Sequence, residues 1–215
     1  MSRSVICISH AWGAGGEEIG RLVADRLGFL FVDEEIISGA AAHAGFDPET
    51  VADEERRKPT FAGLLDYLAS ADPGFVATAP VSLPNDEPPS ETVRAFIRDA
   101  IREVAERGNA VIAAHAGSYA VGAGPDALRI LITAPRETRS KRFAATNGLT
   151  DDEAARTIKR SDAARVDYLK RFYGVGQELP THYDLVINTD TLSSTEASES
   201  IVQAAADPQS LRLSP

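Results

Sequence analysis

An apolar run, Val5-Ile6-Cys7-Ile8-Ser9, breaks into Gly13-Ala14-Gly15-Gly16 and resumes at once as the amphipathic pattern Glu17-Glu18-Ile19-Gly20-Arg21-Leu22. The run is too short for a helix and reads as a buried strand. Only glycines let the backbone turn so tightly and bring several N–H groups onto one anion. The joint therefore has the architecture of a phosphate-binding loop. The lysine that completes G-x-x-x-x-G-K-[ST] is missing, and Glu17 and Glu18 stand where lysine and hydroxyl belong. Two readings stay open on the residues alone. One is a main-chain cradle for phosphate; the other is an acid-started helix after a tight turn, holding no ligand.

The same rhythm continues along the chain. Short apolar runs recur at Ser4–Ser9, Phe29–Val32, Ala110–Ala114, Leu128–Thr133 and Asp184–Asn188. None alternates, as expected of strands covered on both faces of a parallel sheet. Helical patterns lie between them. Glu17–Leu27 ends at Gly28, Asp33–Ala44 at Gly45, and Thr92–Arg107 at Gly108. Pro135–Thr146 starts on a proline and ends at Asn147-Gly148. Thr150-Asp151-Asp152-Glu153 opens Thr150–Arg171 as a capping box, and Ser194–Ala205 forms the last helix. Strands alternating with helices predict an open α/β sheet, with ligands outside the carboxyl ends of its strands. The five prolines of segment 72–89 predict an exposed loop, and residues 207–215 a flexible tail.

Composition narrows the class. The net charge is −10, which argues against a general nucleic-acid binder. Segment 136–171 nevertheless carries ten Lys/Arg against six Asp/Glu, a local +4 that reads either as an anion site or as a solvated helix laced with ion pairs. No stretch approaches the roughly 20 apolar residues of a membrane span, and no secretory pattern opens the chain, so the expected location is the cytoplasm. The single cysteine, Cys7, excludes an internal disulfide and reads as a packing residue.

Together these segments resemble the cytidylate kinase-like branch of the P-loop nucleoside monophosphate kinases. The resemblance rests on Ile8-Ser9-His10-Ala11-Trp12-Gly13-Ala14-Gly15-Gly16-Glu17-Glu18-Ile19-Gly20 and on Phe31-Val32-Asp33-Glu34-Glu35-Ile36-Ile37. Ala134-Pro135 with Arg139 and Arg142 follows, then Ser161-Asp162-Ala163-Ala164-Arg165-Val166-Asp167-Tyr168, and finally Tyr183-Asp184-Leu185-Val186-Ile187-Asn188-Thr189. The chain departs from the family pattern where an arginine becomes His10, a glutamate Ala11, and a second arginine Glu17. The family's Gly-Arg-Gly after the third strand is here Ala114-His115-Ala116.

The resemblance implies a three-layer α/β/α domain over residues 1–206 with a five-stranded parallel sheet and a helical lid within about 146–176. It implies transfer of the γ-phosphoryl of ATP to a nucleoside monophosphate, CMP or dCMP, with Mg2+. The donor site would comprise His10, Gly13, Ala14, Gly15, Gly16 and Glu17, and the acceptor site Asp33 and His115. Arg139, Arg142, Arg160 and Arg165 would neutralise the transferring group. Mg2+ would be held through waters by Glu17, Glu18 or Asp33, with no dedicated protein metal site. The partners implied are small-molecule nucleotides, neither nucleic acid nor membrane, and the fold allows a homodimer. A nucleotide-binding scaffold without catalysis is the rival reading. His10 and His115 read equally as phosphate donors or as structural polar contacts, and Trp12 as a base stacker or as packing beneath the loop.

Overall fold

A computed structural model describes residues 3–33, 91–114, 116–124 and 126–206. The expected helix that runs on to Ala44, segment 72–89, His43, His115 and the tail from 207 lie outside these residues. The elements within them are β1 (Val5–His10), α1 (Gly16–Leu27), β2 (Leu30–Asp33), α2 (Glu91–Arg107), β3 (Ala110–Ala113) and α3 (Gly117–Val121). They continue as β4 (Ala127–Thr133), α4 (Arg136–Asn147), α5 (Asp151–Tyr173), β5 (Leu185–Asn188) and α6 (Ser194–Ala206).

The five strands form one parallel sheet in the order β2-β3-β1-β4-β5. β1 lies in the middle, pairing with β3 through Val5↔Ala110 and with β4 through Val5↔Ala127. All six of its residues are buried, which explains why its sequence shows no alternation. Its side chains nonetheless divide between two cores. Val5 and Cys7 pack with Val32, Ile101, Val104, Ile112 and Ala120 under α2 and α3. Ile6 and Ile8 pack with Ile19, Val23, Ile130, Ile132, Ile187 and Ile201 under α1 and α6. Helices on both faces of one sheet make three layers, the predicted architecture.

Local signals set the helix ends. Gly28 and Gly148 close α1 and α4 in the left-handed conformation. Thr150 caps α5 by accepting from the Glu153 N–H, while Glu153 reaches back to the Thr150 N–H. Asp33 is the last residue of β2, one position beyond the expected strand end. Two short elements, α3 and a 3-10 turn at Pro180–His182, carry no periodic signal in the sequence. A third small core joins α4 to α5 through Phe143, Ala144, Ala154 and Ile158, with Trp12 and Leu149 against it. The segment expected to act as a lid therefore contains a 23-residue helix laid along α4. Among the described residues, no helix is long and apolar enough to cross a membrane.

Candidate active site

β1 delivers the chain to the carboxyl edge of the sheet at its centre, and residues 11–15 turn it into α1. Ala14 N–H donates to the Ala11 carbonyl (3.0 Å), closing a turn whose third residue, Gly13, has φ +77°. A positive φ at that position is what a type II turn demands. Gly15 is the second left-handed residue (φ +82°) and stands at the N-cap of α1 with no side-chain cap bond. Alternating φ signs at Gly13, Ala14 and Gly15 are the pattern that gathers main-chain N–H groups into an anion-binding nest. Gly16 is needed for a different reason. A Cβ there would lie 2.2 Å from His10 Cγ, so the buried imidazole of His10 occupies the space a side chain would take.

The carbonyls of this bend are held by cations and hydroxyls arriving from α4, α5 and the end of β5. Arg139, on α4, donates from Nη1 to the Trp12 carbonyl (3.1 Å) and from Nε to the Ala134 carbonyl (3.0 Å). Its guanidinium also grips Asp162 of α5 through two bonds of 2.8 and 2.9 Å. Arg165, on α5, donates to the His10 carbonyl (3.3 Å) and to both oxygens of Glu178 (3.0 and 2.6 Å). Tyr183 also donates its hydroxyl to Glu178. Burial works to raise the Glu178 carboxyl, but the hydrogen bonds and charge of Arg165 outweigh it and hold the carboxyl below its ordinary range. The same burial, reinforced by that carboxylate, pushes the Tyr183 hydroxyl far above the usual phenol range.

Arg142 reaches the bend indirectly. It donates to Thr189 Oγ1 (3.0 Å) and to the Thr189 carbonyl (2.5 Å), while the Thr189 hydroxyl donates to the Ala14 carbonyl (2.9 Å). Arg160 is exposed on α5, and Glu17 and Glu18 are exposed in the first turn of α1. Asp33 is buried at the end of β2 and pairs with Arg21 of α1 at 2.9 Å. Trp12 stacks obliquely on Phe143, with ring centroids 5.4 Å apart, so it packs beneath the bend. Ser9 is buried and hydrogen-bonded to the Ser118 hydroxyl at 3.3 Å.

The structure thus brings Arg139, Arg142 and Arg165 together around the glycine bend, with His10 against it. Asp162, Glu178 and Thr189 are residues of this candidate site that sequence reasoning missed. Asp162 and Thr189 sit inside recognisable segments but carry no local mark of their partners. Glu178 carries no signal at all.

Electrostatically the bend suits an anion. Two left-handed glycines, an N-cap without a side-chain acceptor and the positive end of α1 all point that way. Among the described residues, the side chains suit a divalent ion only in company with a phosphate ligand. No group of three His, Cys, Asp or Glu able to hold a metal occurs among the described residues. Mg2+ characteristically needs only one or two carboxylates once phosphate oxygens and waters complete its shell.

A parallel sheet ordered 2-3-1-4-5, with a glycine bend leaving its central strand beneath arginine-bearing helices, defines a three-layer α/β/α protein of the mononucleotide-kinase type. The model of the cytidylate kinase-like family matches residues 5–191, and the chain belongs to that family. A cytidylate kinase of Methanopyrus kandleri is 33% identical over 115 residues, 50% of this chain and 59% of that protein. A cytidylate kinase of Ignicoccus hospitalis is 32% identical over 101 residues, 47% of this chain and 58% of its own length. The matches therefore span less than two thirds of these relatives. Among solved structures, an uncharacterized protein from Eubacterium ventriosum gives a TM-score of 0.66 at 15% identity, covering 94% of this chain and 98% of that one. A protein from Thermus thermophilus gives 0.51 at 17% identity, covering 95% and 96%. At such identities the likeness concerns the fold alone.

Proposed function

We propose that the protein transfers the γ-phosphoryl group of ATP to a nucleoside monophosphate, with CMP or dCMP as the acceptor its cytidylate kinase relatives suggest. The observation that carries this reading is the glycine bend at the end of β1, whose carbonyls are tied back by Arg139, Thr189 and Arg165. In the reaction an oxygen of the acceptor phosphate bonds to the γ-phosphorus as the bond to the β-phosphate oxygen breaks, and ADP leaves with that electron pair. Such transfer asks the protein chiefly for alignment and charge neutralisation.

Main-chain N–H groups of Gly13, Gly15, Gly16 and Glu17 hold donor phosphates, that of Ala14 being used to close the turn, with His10 bracing the bend through its contact with Gly16. Asp33 and His115 shape the acceptor side. Glu17, Glu18 or Asp33 would hold Mg2+ through waters, and the ion would supply positive charge to offset that of the phosphates. Arg139 and Arg165 neutralise the transferring group by exchanging their carboxylate partners, Asp162 and Glu178, for phosphate oxygens. Arg142 and the exposed Arg160 complete the cationic side as α5 closes and excludes water.

One observation favours the rival, a nucleotide-binding protein without turnover. Both buried guanidiniums already have carboxylate partners, and no lysine follows the glycines. A thermal-shift panel of nucleotides with and without Mg2+ tests the reading. A ligand at 100 times its Kd stabilises the fold by about 2.7 kcal/mol. We expect stabilisation by ATP and by CMP or dCMP; a flat response to every nucleotide removes the reading.

A further inference from the structure

The glycine bend lacks a lysine, so the direction of its peptide groups carries unusual weight, and one side chain outside the bend sets part of that direction. Thr189 follows β5 and is buried, 3% exposed. Its hydroxyl has a single proton. Arg142 Nη1 donates to the hydroxyl oxygen (3.0 Å), which turns that proton outward. Its nearer acceptor is the Ala14 carbonyl at 2.9 Å; the Thr133 carbonyl stands at 3.3 Å. Thr189 is itself pinned, because its N–H donates to the Thr133 carbonyl (2.8 Å) and Arg142 Nη2 donates to its carbonyl.

In a planar trans peptide, a carbonyl and the following N–H point in opposite directions. Holding the Ala14 carbonyl on Thr189 therefore turns the Gly15 N–H to the side away from Thr189. Gly15 itself is uncrowded: a Cβ built on its Cα would meet only Ile19 Cδ1, at 4.0 Å. Arg139 does the same for the preceding turn, holding the Trp12 carbonyl and so directing the Gly13 N–H away from itself.

We propose that Thr189 is a positioning residue for donor polyphosphate: its hydroxyl, set by Arg142, holds the Ala14–Gly15 peptide with the amide facing the anion. The proposal rests on the reading that the bend takes polyphosphate. It assigns Arg142 a place behind the loop, acting through Thr189, in addition to any contact with the transferring group. Without the hydroxyl, the Ala14–Gly15 peptide is free to rotate and present a carbonyl oxygen, a repulsive partner, to the phosphate.

The test compares Thr189→Val, which keeps the shape and loses the hydroxyl, with Thr189→Ser, which keeps the hydroxyl. Calorimetric titration uses inorganic tripolyphosphate and ATP; steady-state assays separate the KM for ATP from the KM for the monophosphate. Thr189→Val should bind tripolyphosphate about tenfold more weakly or worse, the scale of one hydrogen bond to a charged group. Its KM for ATP should rise by the same factor with the acceptor KM unmoved, and Thr189→Ser should restore both. A second measurement needs no folded variant: in the wild-type protein, tripolyphosphate should shift the Gly13 and Gly15 amide resonances among the most of any in the chain.

Binding by Thr189→Val within twofold of wild type overturns the proposal. So do unmoved Gly13 and Gly15 amides in a protein that binds tripolyphosphate. The two readings separate cleanly. A Thr189→Val defect in a protein that converts no monophosphate upholds the positioning role and removes the phosphotransferase. Normal turnover by Thr189→Val does the reverse. A wild-type protein that ignores tripolyphosphate overturns both.

Discussion

Gly13 and Gly15 look alike in sequence and differ in what they tolerate. Both have positive φ, but a methyl on Gly13 would lie 2.6 Å from the main-chain oxygen of Arg139, which cannot swing aside. A methyl on Gly15 would lie in open space, so its cost is conformational alone. Gly13→Ala should therefore lower stability by about 1–3 kcal/mol from crowding on top of the strain that Gly15→Ala shares. At this chain length that is about 2–4 °C of Tm per kcal/mol. Melting curves in which Gly15→Ala is the less stable of the two would contradict this account of the bend. Cys7 offers a second test at the same scale. Burial pushes its thiol up to about 12, with the Arg129 charge pulling the other way and Asp184 adding to the rise. It stays protonated at pH 8, so iodoacetamide should label it only as fast as the protein unfolds, and at once in guanidinium.

Helix α5 shows which links the sequence discloses. Its capping box was legible because Thr150 and Glu153 are three residues apart, within one turn of their own helix. The strands and most helix ends were legible for the same reason, being written in runs, glycines and prolines a few residues wide. The pairing of Arg165 with Glu178 was not. It crosses Gly174 and the return of the chain, and only the packed structure brings the two within 2.6 Å. Thr189 was hidden likewise, since its partners Ala14 and Arg142 are near only in the fold. The Arg165–Glu178 link also has a sign. The Glu178 carboxyl is held below its ordinary 4.5, so its contribution is fully present above that pH and is lost as pH falls through the lower folded value. Glu178→Gln should be less stable than wild type at pH 7, with the gap narrowing as the pH is lowered toward 3. Denaturant titrations showing a constant gap across that range would refute the link.

Across the whole molecule, the alternation of apolar runs and helical patterns was enough to predict a parallel sheet with helices on both faces. It could not give the strand order, because pairing of β1 with β3 and β4 joins residues more than a hundred positions apart. That order puts the glycine bend at the centre of the sheet's carboxyl edge, and it lets α4, α5 and the end of β5 converge on one turn of chain. The acidic balance of the molecule and the cationic side of this turn are then parts of one design. A negative body repels polyanions in general, while in the proposed function the local guanidiniums and amides would offer one place for them. What distinguishes the proposed site is a phosphate grip that would be built from main chain and arginine without the lysine. Phosphorus-31 NMR of the protein with ATP, Mg2+ and CMP, followed in time, tests that claim most directly. The account predicts growth of ADP and CDP resonances that requires both the enzyme and CMP. Persistent ATP and CMP signals at a protein concentration that binds both, with every monophosphate offered in turn, would contradict it.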